Sequence, residues 1–121
     1  MVVTATSLAI METESEVPEI DVADLQERLE SPGVTLIDVR EPDEYEAVHV
    51  PGARLVPLRT VPDQLDVIPA DDGPVYVICA MGGRSLRAAE FYRAKGIDAV
   101  NVAGGTNAWV EAGHPTAAGT A

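Results

Sequence analysis

The run Val75-Tyr76-Val77-Ile78-Cys79-Ala80-Met81-Gly82-Gly83-Arg84-Ser85 constrains the rest of this 121-residue chain more than any other stretch. Its first four residues are apolar and mostly β-branched, and they read as a short buried strand. The run then reaches the only cysteine in the chain and passes two glycines. From Arg84 a helical pattern continues to about Lys95. The cysteine is therefore expected where a strand ends and a tight loop turns into a helix.

That location has chemical consequences. In open α/β sheets, ligands bind in the crevice beyond the carboxyl ends of the strands. The first turn of the following helix carries unpaired N–H groups and a partial positive charge. Gly82 and Gly83 allow the loop backbone to take positive φ and to turn further N–H groups inward. Arg84 adds a permanent cation with planar donors. A sulfur among such donors is stabilised as thiolate, so Cys79 is expected to ionise below the free-thiol value of about 8.5. A lone cysteine in an arbitrary sequence reads as an inert core residue. The strand end, the two glycines and the arginine make this one a candidate nucleophile.

Hydrophobic residues make up 46% of the chain and charged residues 23%, the balance of one globular domain. No apolar run approaches the ~20 residues that span a bilayer. The opening Met1-Val2-Val3-Thr4-Ala5-Thr6-Ser7 lacks a basic region of the secretory kind, so the expected compartment is the cytoplasm. A net charge of −12 opposes binding to nucleic acid or to an anionic membrane. It also gives weight to the few cations near Cys79, namely Arg84 and Arg87. One cysteine excludes an internal disulfide, and with only His49 and His114 beside it there is no structural zinc set. No metal or organic cofactor is expected. Gly82-Gly83 and Gly104-Gly105 match neither a phosphate-binding loop nor a dinucleotide fingerprint.

Residues 1–16 read as a flexible tail, with Leu8-Ala9-Ile10 as a less favoured edge strand. Asp21 is placed to cap a helix carrying Val22, Leu25 and Leu29, which Pro32-Gly33 ends. Val34 to Val39 reads as a buried strand, and Pro42 suits the first position of a short helix. A turn at His49-Val50-Pro51-Gly52-Ala53 leads to a short strand, Arg54-Leu55-Val56. Leu58 to Val67 follows as a helix interrupted by Pro62. After the Cys79 loop, Gly96 closes the long helix, Asp98 to Val102 is a last strand, and Gly104-Gly105 opens a final helix through Trp109. Residues 116–121 are expected to fray. Strands alternating with helices imply a mainly parallel sheet covered on both faces.

Taken in order, four segments give the chain a family likeness: Asp38-Val39-Arg40-Glu41-Pro42 with Glu44-Tyr45, His49-Val50-Pro51-Gly52-Ala53, the Cys79–Ser85 loop, and Gly104-Gly105 with Ala108-Trp109. Residues 17–115 resemble a single-domain rhodanese, a sulfurtransferase. The resemblance implies a rhodanese-like α/β fold, an open sheet with helices on both faces and the active loop between the central strand and the next helix. It makes Cys79 the nucleophile that carries sulfur as a persulfide. Backbone N–H groups from Ala80 through Met81, Gly82 and Gly83 to Arg84 would form the cradle, with Ser85 at its end. Arg84 would contact an anionic donor such as thiosulfate. Implied partners are a small sulfur donor, thiosulfate or a persulfide, and an external thiol, cyanide or a sulfur-acceptor protein.

Two departures from the family pattern stand out. Val48 occupies a position before His49 that is commonly glycine, and Ala80 and Met81 are neutral where some rhodaneses carry basic residues. Asp38 and Arg40 read either as a scaffold ion pair or as outlying contacts to the site. His49 and Trp109 read as packing residues. A binding or regulatory module on the same fold is the alternative to an enzyme. A cysteine-dependent phosphatase or arsenate reductase is a further one, disfavoured because related phosphatases place five residues between cysteine and arginine, where this chain has four.

Overall fold

Residues 17–69 and 73–120 are described by a computed structural model of the protein. The segment 1–16, with the Leu8-Ala9-Ile10 option, lies outside these residues. Five strands, β1 (Glu19–Ile20), β2 (Thr35–Asp38), β3 (Arg54–Leu55), β4 (Val75–Ile78) and β5 (Ala99–Val102), form one sheet in the order β1-β5-β4-β2-β3. All four neighbouring pairs are parallel. The α-helices are α1 (Val22–Arg28), α2 (Pro42–Ala47), α3 (Gly83–Ala94) and α4 (Gly105–Glu111).

Strand period two divides the core. Val75 and Val77 point to one face, where they join Ile37, Ala88, Ala89 and Tyr92 beneath α3. Tyr76 and Ile78 point to the other, where they join Leu25, Leu36, Tyr45, Val102 and Trp109 under α1, α2 and α4. All four residues of β4 are buried, as a central strand covered on both faces requires. The open α/β sheet with helices on both faces, as read from the sequence, is what the structure has.

Local chemistry accounts for the helix starts. The Asp21 side chain accepts the Asp24 N–H at 2.9 Å, capping α1. Pro42 begins α2, and Glu41 and Glu44 close a reciprocal capping box over its first turn. The Trp109 indole N–H donates to the Pro115 carbonyl at 2.6 Å, so its burial leaves no donor orphaned. His49 is buried, stacked on the Tyr45 ring at 3.7 Å and bonded through Nδ1 to the Tyr45 carbonyl. Both are packing residues, as their surroundings in the sequence suggested.

Three features differ from the sequence expectations. Residues 58–67 form two 3₁₀ turns, Leu58–Asp63 and Leu65–Val67, instead of an interrupted α-helix. Pro62 lacks the N–H that an α-helix interior needs, and the tighter turns accommodate it. β1 was not anticipated: two residues suffice because Asn101 and Ala103 donate backbone N–H groups to Pro18 and Ile20. Within 116–121, expected to fray, two of the described residues bond back to the domain. Ala117 pairs antiparallel with His49 through two 2.9 Å bonds, and Gly119 donates to Glu46 at 2.8 Å.

Candidate active site

β4 delivers Cys79 to the carboxyl end of the sheet, at the point where the chain's connections diverge. α2 leads from β2 outward to β3, and α3 leads from β4 the other way to β5. Such a switch point leaves a crevice between the two strand ends. The loop above it is held from outside. Thr106 N–H donates to the Cys79 carbonyl at 2.8 Å and Asn107 N–H to the Ala80 carbonyl at 3.0 Å, both from the first turn of α4. In a planar trans peptide, C=O and N–H point oppositely. Drawing those two carbonyls toward α4 therefore turns the Ala80 and Met81 N–H groups away from it, to the side of the sulfur.

Gly82 completes the turn. It caps α3 with φ of 116°, a left-handed conformation that favours glycine, and its N–H lies 3.1 Å from Cys79 Sγ. Ser85 Oγ is 3.4 Å from the same sulfur. Burial pushes the Cys79 thiol up, but the Ser85 hydroxyl and the backbone N–H groups of Ser85, Gly82 and Met81 outweigh it. The net shift is below the ordinary thiol value. The cradle expected from Ala80 to Arg84 thus gathers Met81, Gly82 and Ser85 on the sulfur. Met81's own side chain faces out, 74% exposed on the loop.

The charged residues are placed less directly. Arg40 grips Asp38 through Nε and Nη2, at 2.7 Å for the shortest contact, and donates to the Val48 carbonyl at 2.8 Å. Both side chains are buried, so the pair is the scaffold arrangement among the two readings from sequence: it ties the end of β2 to the turn before His49. Arg84 forms a two-pronged pair with Glu44, at 2.8 and 3.0 Å. The Arg84 guanidinium holds the Glu44 carboxyl down to about 2, against the opposing effect of burial. Among the described residues no group of three His, Cys, Asp or Glu side chains is placed to hold a metal ion. No helix there is long and apolar enough to cross a membrane.

The rhodanese-like domain family matches residues 21–112. The chain belongs to the rhodanese-like family. It is 35% identical over 104 residues to a sulfurtransferase of Allochromatium vinosum, covering 84% of this chain and 96% of that one. It is 34% identical over 100 residues to the putative sulfur carrier protein YrkF of Bacillus subtilis, covering 81% of this chain and 54% of that one. A crystal structure of a rhodanese-like domain protein from Staphylococcus aureus matches with a TM-score of 0.72 at 39% identity, over 77% of this chain and 91% of that one. Some relatives are longer: the chain spans 37%, 54% and 59% of three of them.

Two residues of this rhodanese-like site were not singled out from the sequence. Asn101, on β5, faces α3, where its amide NH₂ donates to Glu19 at 2.8 Å and to the Gly82 carbonyl at 3.3 Å. Both partners accept only, so its oxygen is the end that meets Ser85 Oγ, at 2.5 Å, and shares with Cys79 Sγ the single Ser85 hydroxyl proton. Asn101 thereby fixes both the cap of α3 and the hydroxyl beside Cys79. A lone asparagine in a strand pattern was the only signal, since strands are poor in asparagine. Glu44 was visible as part of a motif, but nothing local joined it to Arg84, forty positions on.

The cradle predicts a measurable ionisation. The thiolate fraction rises as pH passes the lowered Cys79 value, so alkylation should speed up and level off below the pH at which a free thiol does. Cys79 is 1% exposed, so the absolute rate also reports access, and the inflection alone is diagnostic. It should fall below about 8.5; an inflection at or above that value would refute the cradle.

Proposed function

We propose that this protein is a sulfurtransferase working by double displacement through Cys79. The thiolate attacks the sulfane sulfur of a donor, thiosulfate or an organic persulfide. The donor's S–S bond breaks, and sulfite or a thiolate leaves with the bonding pair. Cys79 then carries a persulfide whose outer sulfur lies among the N–H groups of the loop, where developing negative charge is favoured. A thiolate or cyanide attacks that outer sulfur, the new S–S bond breaks, and the Cys79 thiolate returns. Every step is nucleophilic substitution at sulfur, so no metal or organic cofactor takes part.

The observation that carries this reading is the Gly82 N–H at 3.1 Å from a thiol shifted toward its ionised form. An inert core cysteine has no use for inward-facing amide donors. The names of the relatives, a sulfurtransferase and a putative sulfur carrier, support the same chemistry. Because the chain holds one cysteine, its persulfide has no internal thiol to resolve it.

Intact-protein mass spectrometry tests the reading. Incubation with thiosulfate or an alkyl persulfide should add one sulfur, about 32 Da, to the wild type and nothing to Cys79→Ser. Once donor and leaving group are removed, the added sulfur should persist until cyanide or a thiol is supplied, and then leave. No addition from either donor, or loss of the sulfur without an acceptor, would overturn the mechanism.

A further inference from the structure

Glu44 and Arg84 come from the two helices that leave the switch point on either side of it. Glu44 is in the first turn of α2, which follows β2, and Arg84 is in the first turn of α3, which follows β4. They meet across the switch point through two hydrogen bonds, Arg84 Nη1 to Glu44 Oε1 at 2.8 Å and Nη2 to Oε2 at 3.0 Å. The carboxylate is anchored from behind, since Oε1 also accepts the Glu41 N–H at 2.9 Å. The side chains remain 37% and 33% exposed, so the pair lies at the surface and not in the core. Two other arginines also face carboxylates, Arg40 with Asp38 in the core and Arg59 with Glu41 in a single 3.3 Å contact at the surface.

We propose that Glu44 determines which class of sulfur donor this site accepts. Its carboxylate occupies the fork of donors that Arg84 would offer to an anion. Arg84 is the only cation in the Cys79–Ser85 loop, and the chain's net charge is −12. A small dianion such as thiosulfate must therefore displace a carboxylate that is already in place and already held by a second bond. A persulfide borne on a thiol or on a protein releases a thiolate and has no need of that fork. Glu44 thus works as negative selection against the dianionic donor and turns the site toward organic persulfides. With such a donor, Cys79 S⁻ bonds to the outer sulfur of R–S–SH, the donor's S–S bond breaks, and RS⁻ leaves with the pair.

This inference rests on the sulfur-transfer reading, and the two fail differently. The experiment compares the rate of sulfur loading on Cys79 from thiosulfate with that from an alkyl persulfide bearing no further charge, in the wild type and in Glu44→Gln. Glutamine keeps the capping box and removes the charge. The thiosulfate-to-persulfide rate ratio should rise about tenfold, the lower end for a charge-assisted contact. Adding Arg84→Ala to Glu44→Gln should abolish the gain. An unchanged or lowered ratio in Glu44→Gln, or a gain that survives loss of Arg84, would overturn the proposal. Glu44→Ala, which gives up the capping box as well, must move the ratio in the same direction, and keeps the test decisive if the glutamine variant folds poorly. A wild type that loads no sulfur from either donor would refute the transfer reading itself, whatever the variants do.

Discussion

Gly105→Ala should dislodge the Cys79 loop and destabilise the domain by about 3 kcal/mol or more. An alanine Cβ there would collide with the Cys79 carbonyl oxygen and sit 2.5 Å from that of Ala80, with the Ala80 carbonyl carbon at 2.6 Å. Those atoms are backbone and have no rotamer to retreat into. They are also the carbonyls that Thr106 and Asn107 hold, at 2.8 and 3.0 Å. Moving them would turn the neighbouring N–H groups off the sulfur. Gly105 also has φ of 62°, so alanine would add backbone strain to the collision. Gly113→Ala is the control, because Gly113 has φ of 81° but nothing within 4 Å of an added Cβ. It should lose only the conformational part, about 1 kcal/mol. Thermal unfolding of both variants, together with the alkylation profile of Cys79, checks the argument. A Gly105→Ala protein no less stable than Gly113→Ala, with its thiol ionising as in the wild type, would show that the close approach is unimportant.

Lengthening the loop should be as damaging to chemistry as Gly105→Ala is to stability. Inserting one glycine between Gly82 and Gly83 adds at most about 3.3–3.6 Å of chain. Gly82 is fixed at three points: its N–H on Sγ at 3.1 Å, and its carbonyl on the Leu86 N–H at 3.1 Å and on Asn101 at 3.3 Å. An extra residue cannot satisfy all three, and it would also shift Arg84 away from Glu44. Misplacing catalytic donors by about 1 Å is enough for losses of about a hundredfold. Sulfur loading from either donor should therefore fall about a hundredfold or more in the insertion variant. The unmodified loop, with four residues between Cys79 and Arg84, should show negligible hydrolysis of an aryl phosphate. Aryl phosphate turnover through Cys79 faster than sulfur transfer in the wild type, or an insertion variant with undiminished transfer, would refute the loop-size argument.

Much of this molecule is legible along the chain because the physics responsible is local. The alternation of Val75, Tyr76, Val77 and Ile78 already divides the two faces of the sheet, since side-chain direction in a strand has period two. Asp21 and Pro42 mark helix starts because caps act within three or four residues. The position of Cys79 before Gly82 and Gly83 announces an amide-lined turn for the same reason. Pro62 was legible as an interruption, though not as the pair of 3₁₀ turns that absorbs it.

What escaped the linear reading depends on pieces of chain that only folding brings together. Nothing around Glu44 shows that its partner is Arg84, and nothing around Asn101 shows that it holds both Gly82 and Ser85. β1 exists because Asn101 and Ala103 offer N–H groups to Pro18 and Ile20, and the pairing of Ala117 with His49 likewise joins residues far apart in the chain. The reason Gly105 must be glycine is the carbonyl of a residue twenty-six positions earlier. The sequence alone determined a parallel α/β sheet and a cysteine at its carboxyl edge, because strand period, helix caps and turn residues act over a few neighbours. Only the tertiary structure decided which groups aim the amides at that sulfur and which carboxylate covers its arginine. Those contacts span between sixteen and eighty-two residues of chain, and no local pattern encodes them.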